Sequence, residues 1–225
     1  SWSDTTIRPN KLKGLCLVLD QDLLRIPPEQ AMTVAIAAGV RFFQYRNKSG
    51  TRRAVYENSL RLASLANKSG ALFFVNDHAD IAAAVDADGV HLGQDDLPIE
   101  HARKLLGKKK LIGISTHGRE QAVVAEIAGA DYIGFGPIFR TTTKNAGQVQ
   151  GCAGITLIRQ AVSIPIIAIG GITLEKVQDV IRAGADGVAV ITAILSAPDI
   201  GRATETMIER IEHLEAEHQR GTDNA

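Results

Sequence analysis

Several groups of polar residues stand out because each ends or interrupts an apolar run. Gln44-Tyr45-Arg46-Asn47-Lys48 alternates an amide and two cations with Tyr45 and Asn47. If the extended backbone of Phe42–Gln44 continues, a period of two turns Gln44, Arg46 and Lys48 to one side. Such a row suits a phosphate or diphosphate, and a solvated loop with two surface cations would carry the same residues. Asn76-Asp77 and Gln94-Asp95-Asp96 close two further runs. Asp77 and Asp96 could share one Mg2+, which takes few carboxylates and completes its shell with water and phosphate oxygens. The alternative is that they cap the helices that follow. Asp95 faces elsewhere if the rim conformation alternates.

The stretch from Gly136 to Ala153 is the longest without an apolar period and carries Arg140, Thr141, Thr142, Thr143 and Lys144, then Gly147 and Gly151. Hydroxyls, a cation and glycines describe either a lid that closes on an anion or a disordered insertion. Gly170-Gly171 precedes a helix expected to start near Thr173, where glycine lets backbone N–H groups approach a phosphate. His117, in Ser115-Thr116-His117, reads as a proton shuttle or as an orienter of its neighbours. His91, inside an apolar run, reads as a satisfied core or rim histidine.

These residues must be positioned by short apolar runs that alternate with amphipathic stretches from end to end. Strands are expected to begin at Leu15, Phe42, Leu72, Gly89, Leu111, Tyr132, Pro165 and Gly187. Helical periodicity is clearest over Thr51–Ser69, Glu120–Ala128, Leu174–Ala183 and Ala203–Glu217. The phrases Ala38-Gly39, Ala128-Gly129 and Ala183-Gly184 place glycine where a helix turns back towards a strand. Repeated strand-then-helix units predict an α/β fold, a single-domain (β/α)8 TIM barrel over about residues 13–217, rather than an open doubly wound sheet. In such barrels the loops after the strands build the site, and nearly every position there is polar or glycine.

Composition agrees with one such domain. The 225 residues are 45% hydrophobic and only 4% aromatic, so an aliphatic core of Ala, Val, Ile and Leu is expected. Lys plus Arg equals Asp plus Glu at 25 each, which leaves no global field to recruit nucleic acid or an anionic membrane. Any anion must be held by a local cation cluster, which makes small molecules the expected partners. Cys16 and Cys152 make a disulfide framework improbable. No secretory signal is visible and no apolar run nears the roughly 20 residues that span a bilayer, so a cytoplasmic address is expected. The polar residues from Gln219 to Ala225 are expected to fray. Oligomeric state is not legible.

Taken together, Gln44-Tyr45-Arg46-Asn47-Lys48, Asn76-Asp77 and Gly89-Val90-His91-Leu92-Gly93-Gln94-Asp95-Asp96 resemble the thiamine-phosphate synthase family in content, order and spacing. So do Gly113-Ile114-Ser115-Thr116-His117, Gly134-Phe135-Gly136-Pro137-Ile138-Phe139, Thr141-Thr142-Thr143-Lys144 and Ala168-Ile169-Gly170-Gly171-Ile172. The resemblance covers Leu15 to about Ile194. It implies an enzyme that couples a 4-amino-2-methyl-5-(diphosphooxymethyl)pyrimidine with a thiazole phosphate to give thiamine phosphate and pyrophosphate, with Mg2+ as cofactor. It further implies that Gln44, Arg46, Lys48, Asn76, Ser115 and Lys144 hold the pyrimidine diphosphate, and that Asp77 and Asp96 hold Mg2+. Thr141, Thr142, Thr143, Gly171, Ile191 and Thr192 would hold the thiazole phosphate. Among these, Arg46, Lys48, Ser115 and Lys144 are the expected catalytic groups. Thr192 stands where the family usually has serine, Tyr45 where it often has leucine, and Asn47 where it often has a charge.

The implied chemistry needs a leaving group and a nucleophile. Pyrophosphate would depart from the pyrimidine methylene, its charge neutralised by Mg2+, Arg46, Lys48 and Lys144. The electron-rich aminopyrimidine can carry the resulting cation, which favours a dissociative path, and the thiazole nitrogen would be held for capture. Competing readings are a thiazole tautomerase-like paralogue, a non-catalytic phosphate-sensing barrel and a sugar-phosphate epimerase or aldolase. The tautomerase would leave the diphosphate residues free to vary. The aldolase lacks a candidate Schiff-base lysine buried in a strand.

Overall fold

The computed structural model describes residues 11–142 and 147–222. Eight parallel strands close into a barrel in sequence order, each paired with the next and β8 with β1. The strands are β1 Gly14–Asp20, β2 Phe42–Arg46, β3 Leu72–Asn76, β4 Gly89–Leu92, β5 Leu111–Thr116, β6 Tyr132–Phe135, β7 Ile166–Ile169 and β8 Gly187–Val190. Between them run α1 Pro28–Ala37, α2 Arg52–Ser69, α3 Ala79–Ala84, α4 Ile99–Leu106, α5 Arg119–Ile127, α6 Gly151–Ala161 and α7 Val177–Arg182. The short α8 Thr192–Leu195 and the long α9 Ile200–Thr222 follow β8. The expected (β/α)8 barrel is the observed one, and closure rules out the doubly wound sheet.

The helix ends show why the chain turns where it does. At the end of α5, Gly129 N–H donates to Glu126 and Ala130 N–H to Ala125, which satisfies two carbonyls the helix itself leaves open. That crossing of bonds needs a positive φ, which Gly129 adopts at 93°. The same pattern closes α1 at Gly39 and α2 at Gly70, and after α3 Asp86 takes the role at φ 53°. The α7 helix starts at Val177, later than the periodicity indicated, because residues 174–176 form a turn ahead of it. Beyond Gln219, where fraying was expected, α9 continues to Thr222.

The core departs from expectation in one respect. The core is mostly aliphatic as composition requires, with Phe43, Phe73 and Phe135 buried in it, and a cluster of aromatic rings sits inside the barrel. Phe42, Phe74 and Tyr132 meet there with centroids 5.3 to 5.8 Å apart, two of the three contacts edge-to-face. Glycines make the room. A Cβ on Gly113 would lie 2.0 Å from the Tyr132 ring, and one on Gly89 would lie 2.6 Å from Phe74. Few aromatics suffice because the residue paired with Tyr132 and with Phe74 on a neighbouring strand is glycine.

Candidate active site

The strand ends open into a cavity of about 480 Å³ at the C-terminal rim of the barrel. Arg46, Lys48, Asn76, Asp77, Asp96, Ser115, Thr141, Gly171, Ile191 and Thr192 all line it. Gln44 is buried two residues below Arg46 on the same face of β2, close to Tyr132. Thr142 is exposed. Thr143 and Lys144 lie outside the described residues.

One side of the cavity is charged. β2 runs alongside β1 with Arg46 opposite Asp20, so Arg46 Nη1 donates to Asp20 Oδ2 at 2.7 Å. Asp20, only 2% exposed, also accepts the Asp22 N–H at 3.0 Å and so anchors the guanidinium from below. Arg46 Nε is buried with no hydrogen-bond partner among the described residues. A buried donor left open beside a polar cavity is where an anionic oxygen gains most. Tyr45 points the opposite way, its hydroxyl bonded to Gln21, Asn47 and Asn58, which bears out the alternation of polar residues along this segment.

Lys48 forms an ion pair with Asp77, and Asp77 in turn meets the Asp96 carboxyl. Burial opposes ionisation of Asp77, but the Lys48 ammonium and the Asp96 carboxyl outweigh it and hold its pKa below the ordinary value. For Asp96 burial comes first and the Asp77 carboxylate adds to it. Together they raise its pKa against the Gly93 N–H and Lys48. Neither aspartate caps a helix: α3 begins after His78 and α4 after Pro98, both without a side-chain cap. Asp96 instead accepts the Gly93 N–H at 2.7 Å, and Asp77 sits at φ 70°, a conformation few residues other than glycine adopt. Asp95, expected to face elsewhere, lies exposed on the same lip.

The other side is built by glycine and backbone. The segment after β6 runs beside β7, with Ile138 N–H donating to Ile169 and Phe139 N–H to Gly170. Gly170 and Gly171, at φ 105° and 63°, permit this approach. A Cβ on Gly170 would lie 2.7 Å from Pro137 Cα, and one on Gly171 2.6 Å from the Arg140 carbonyl. The expected Gly136–Ala153 lid is therefore pinned at both ends. Gly136–Phe139 is tied to β7, while Gln150 and Gly151 donate to Pro137 and Ile138, and Gly151 already opens α6. His117 Nδ1 lies 2.8 Å from the Gly136 carbonyl, so it carries the proton there. That bond orients His117 at the β6 exit while its ring still lines the cavity.

Sequence reasoning gave Asp20 no task, and the structure gives it one. The signal was available only as period-two register, since its partner lies on a neighbouring strand.

The family whose sequence pattern is described as thiamine monophosphate synthase matches residues 15–194. The chain belongs to that family. Its activity is the family's, thiamine-phosphate synthesis, a transferase reaction of thiamine biosynthesis. The chain is 47% identical over 195 residues to the thiamine-phosphate synthase of Chloroflexus aurantiacus, covering 86% of this chain and 90% of that one. It is 44% identical over 205 residues to that of Pyrococcus horikoshii, covering 91% and 97%. Among solved structures, the thiamine phosphate pyrophosphorylase from Pyrococcus furiosus superposes with a TM-score of 0.85 at 39% identity, over 92% of this chain and 98% of that one. Among the described residues, no helix is long and apolar enough to cross a membrane.

Proposed function

We propose that the charged side of the cavity binds a pyrimidine diphosphate and the glycine side a thiazole phosphate, and that the two are joined with pyrophosphate as leaving group. The observation that carries this reading is the open Arg46 Nε beside Lys48 and the Asp77–Asp96 pair. Two cations, one of them with an unpartnered buried N–H, favour a multiply charged leaving group. Neither a proton-moving tautomerase nor a simple sensor needs a carboxyl pair there.

Asp77 and Asp96 fit Mg2+ in chemistry. They are hard oxygen donors held against each other, and burial first, with the Asp77 carboxylate adding to it, raises the pKa of Asp96, a cost that a divalent cation would relieve. Two carboxylates leave most of the shell to water and diphosphate oxygens, as Mg2+ prefers. When bound, the ion would neutralise charge on the diphosphate.

The chain's own residues then divide the work. Asp20 fixes Arg46, which meets the diphosphate with Lys48, and Lys144 joins them by the family resemblance. Gln44, Asn76 and Ser115 hold the aminopyrimidine. As the methylene carbon–oxygen bond breaks, its electron pair leaves with pyrophosphate, and the ring carries the positive charge. Thr141, Thr142, Thr143, Gly171, Ile191 and Thr192 hold the thiazole phosphate so that its nitrogen lone pair closes the new bond. No protein nucleophile takes part. Incubation with both substrates, with and without Mg2+, should release pyrophosphate and thiamine phosphate together, and only with the metal. Thiazole isomerisation without pyrophosphate, or binding without turnover, would replace this reading.

A further inference from the structure

Beneath the cavity floor lies a polar chain inside the barrel. His91, on β4 and 8% exposed, stands between two hydroxyls. Its Nδ1 is 2.7 Å from the Tyr132 hydroxyl and its Nε2 is 2.7 Å from Ser115 Oγ. The place is built for this ring. A Cβ on Gly134 would lie 3.0 Å from His91 Cε1, and Gly113 leaves the space that Tyr132 fills.

A neutral imidazole offers one N–H and one lone pair, so the two bonds must run in the same sense along the chain. Chemistry selects the sense. A phenol is a far stronger acid than an alcohol, and an imidazole nitrogen accepts better than a phenolic oxygen, so Tyr132 O–H donates to Nδ1. The ring proton is then on Nε2 and goes to Ser115 Oγ. With that lone pair taken, the serine keeps its own O–H for the cavity that it lines.

We infer that Tyr132 and His91 are positioning residues that set Ser115 as a hydrogen-bond donor, aimed at an acceptor such as a ring nitrogen of the aminopyrimidine rather than at its amino group. The opposite tautomer would turn a serine lone pair to the substrate and select the amino group instead. This rests on the reading of Ser115 as a contact of the pyrimidine diphosphate.

The test begins on the full chain with 15N-labelled histidine and no substrate. Long-range proton–nitrogen correlation at neutral pH should show His91 as a single tautomer, protonated at Nε2 and bare at Nδ1. The His91 signals are those lost in His91→Asn, or, if that variant does not fold, those altered in Tyr132→Phe. Tyr132→Phe should mix the tautomers and lower kcat on the order of ten-fold, the worth of about one hydrogen bond. Its KM for the thiazole phosphate should stay unchanged. A native ring protonated at Nδ1 or at both nitrogens would overturn the inference, as would native turnover in Tyr132→Phe. If instead Ser115→Ala leaves both kcat and the KM for the diphosphate intact, the substrate assignment of Ser115 fails, a result separate from the tautomer.

Discussion

The two aspartates at the rim have different neighbours and should respond differently to removal. Asp77 is paired with Lys48, Asp96 is pinned by the Gly93 N–H, and Asp95 is exposed. Asp77→Asn and Asp96→Asn should lose the response of turnover to Mg2+ and slow it by about 100-fold, the scale of one removed electrostatic group. Their melting temperatures should change little, since Asp96→Asn relieves a crowded carboxyl pair and Asp77→Asn gives up only a half-exposed ion pair with Lys48. Asp95→Asn should keep the Mg2+ response. Activity titrated with Mg2+ for the three variants decides it, and early melting with normal chemistry would return the aspartates to a structural role. On the opposite wall, Thr141→Val removes a hydroxyl at similar volume. The KM for the thiazole phosphate should rise roughly ten-fold while that for the diphosphate stays, because one hydrogen bond to a charged group is lost. Equal changes in both constants would remove Thr141 from that subsite.

In the turns between elements, glycine does two separate jobs. Gly129 ends α5 at φ 93° with nothing within 4 Å of where a Cβ would stand, so Gly129→Ala costs only the backbone conformation. That is about 1 kcal/mol, a fall of about 2–4 °C in Tm for a chain of this size, with kinetics unchanged. Gly171 shares the positive φ, but its added Cβ would also strike the Arg140 carbonyl at 2.6 Å. Gly171→Ala should therefore melt lower still and raise the KM for the thiazole phosphate, because the wall of the cavity must move. Thermal melts and steady-state kinetics on the pair separate strain from steric closure; equal losses with unchanged KM would mean that Gly171 serves the turn alone.

For the molecule as a whole, closure makes the first and last strands neighbours. β1 pairs with β8, Gly14 opposite Gly187 and Leu17 opposite Val190, so neither strand has a free edge. Native-state hydrogen exchange should place the amides of β1 and β8 in the same slowest class, opening only with global unfolding. Earlier exchange of β1 alone would mean that the seam opens independently of the rest.

Much of this was determined by the sequence. Apolar runs of four to seven residues separated by amphipathic stretches located all eight strands, because a strand buried on both faces must be apolar throughout. Helix-ending glycines were legible because only a positive φ completes the bonds that close a helix. The rim residues were legible because polar side chains at the ends of apolar strands have nowhere to go but the mouth. What the sequence could not decide was whether the sheet closes, which residues face each other across strands, and how far a loop is tied down. Closure brought β8 to β1, and the register between neighbouring strands set Asp20 beside Arg46 and threaded Tyr132, His91 and Ser115 into one chain of hydrogen bonds. It also fastened the expected lid at Ile138 and Phe139 to β7. Local pattern records which face a residue takes, since that depends on a period of two along one strand. Its partner depends on the register between strands far apart in sequence, and that is settled only when the barrel packs.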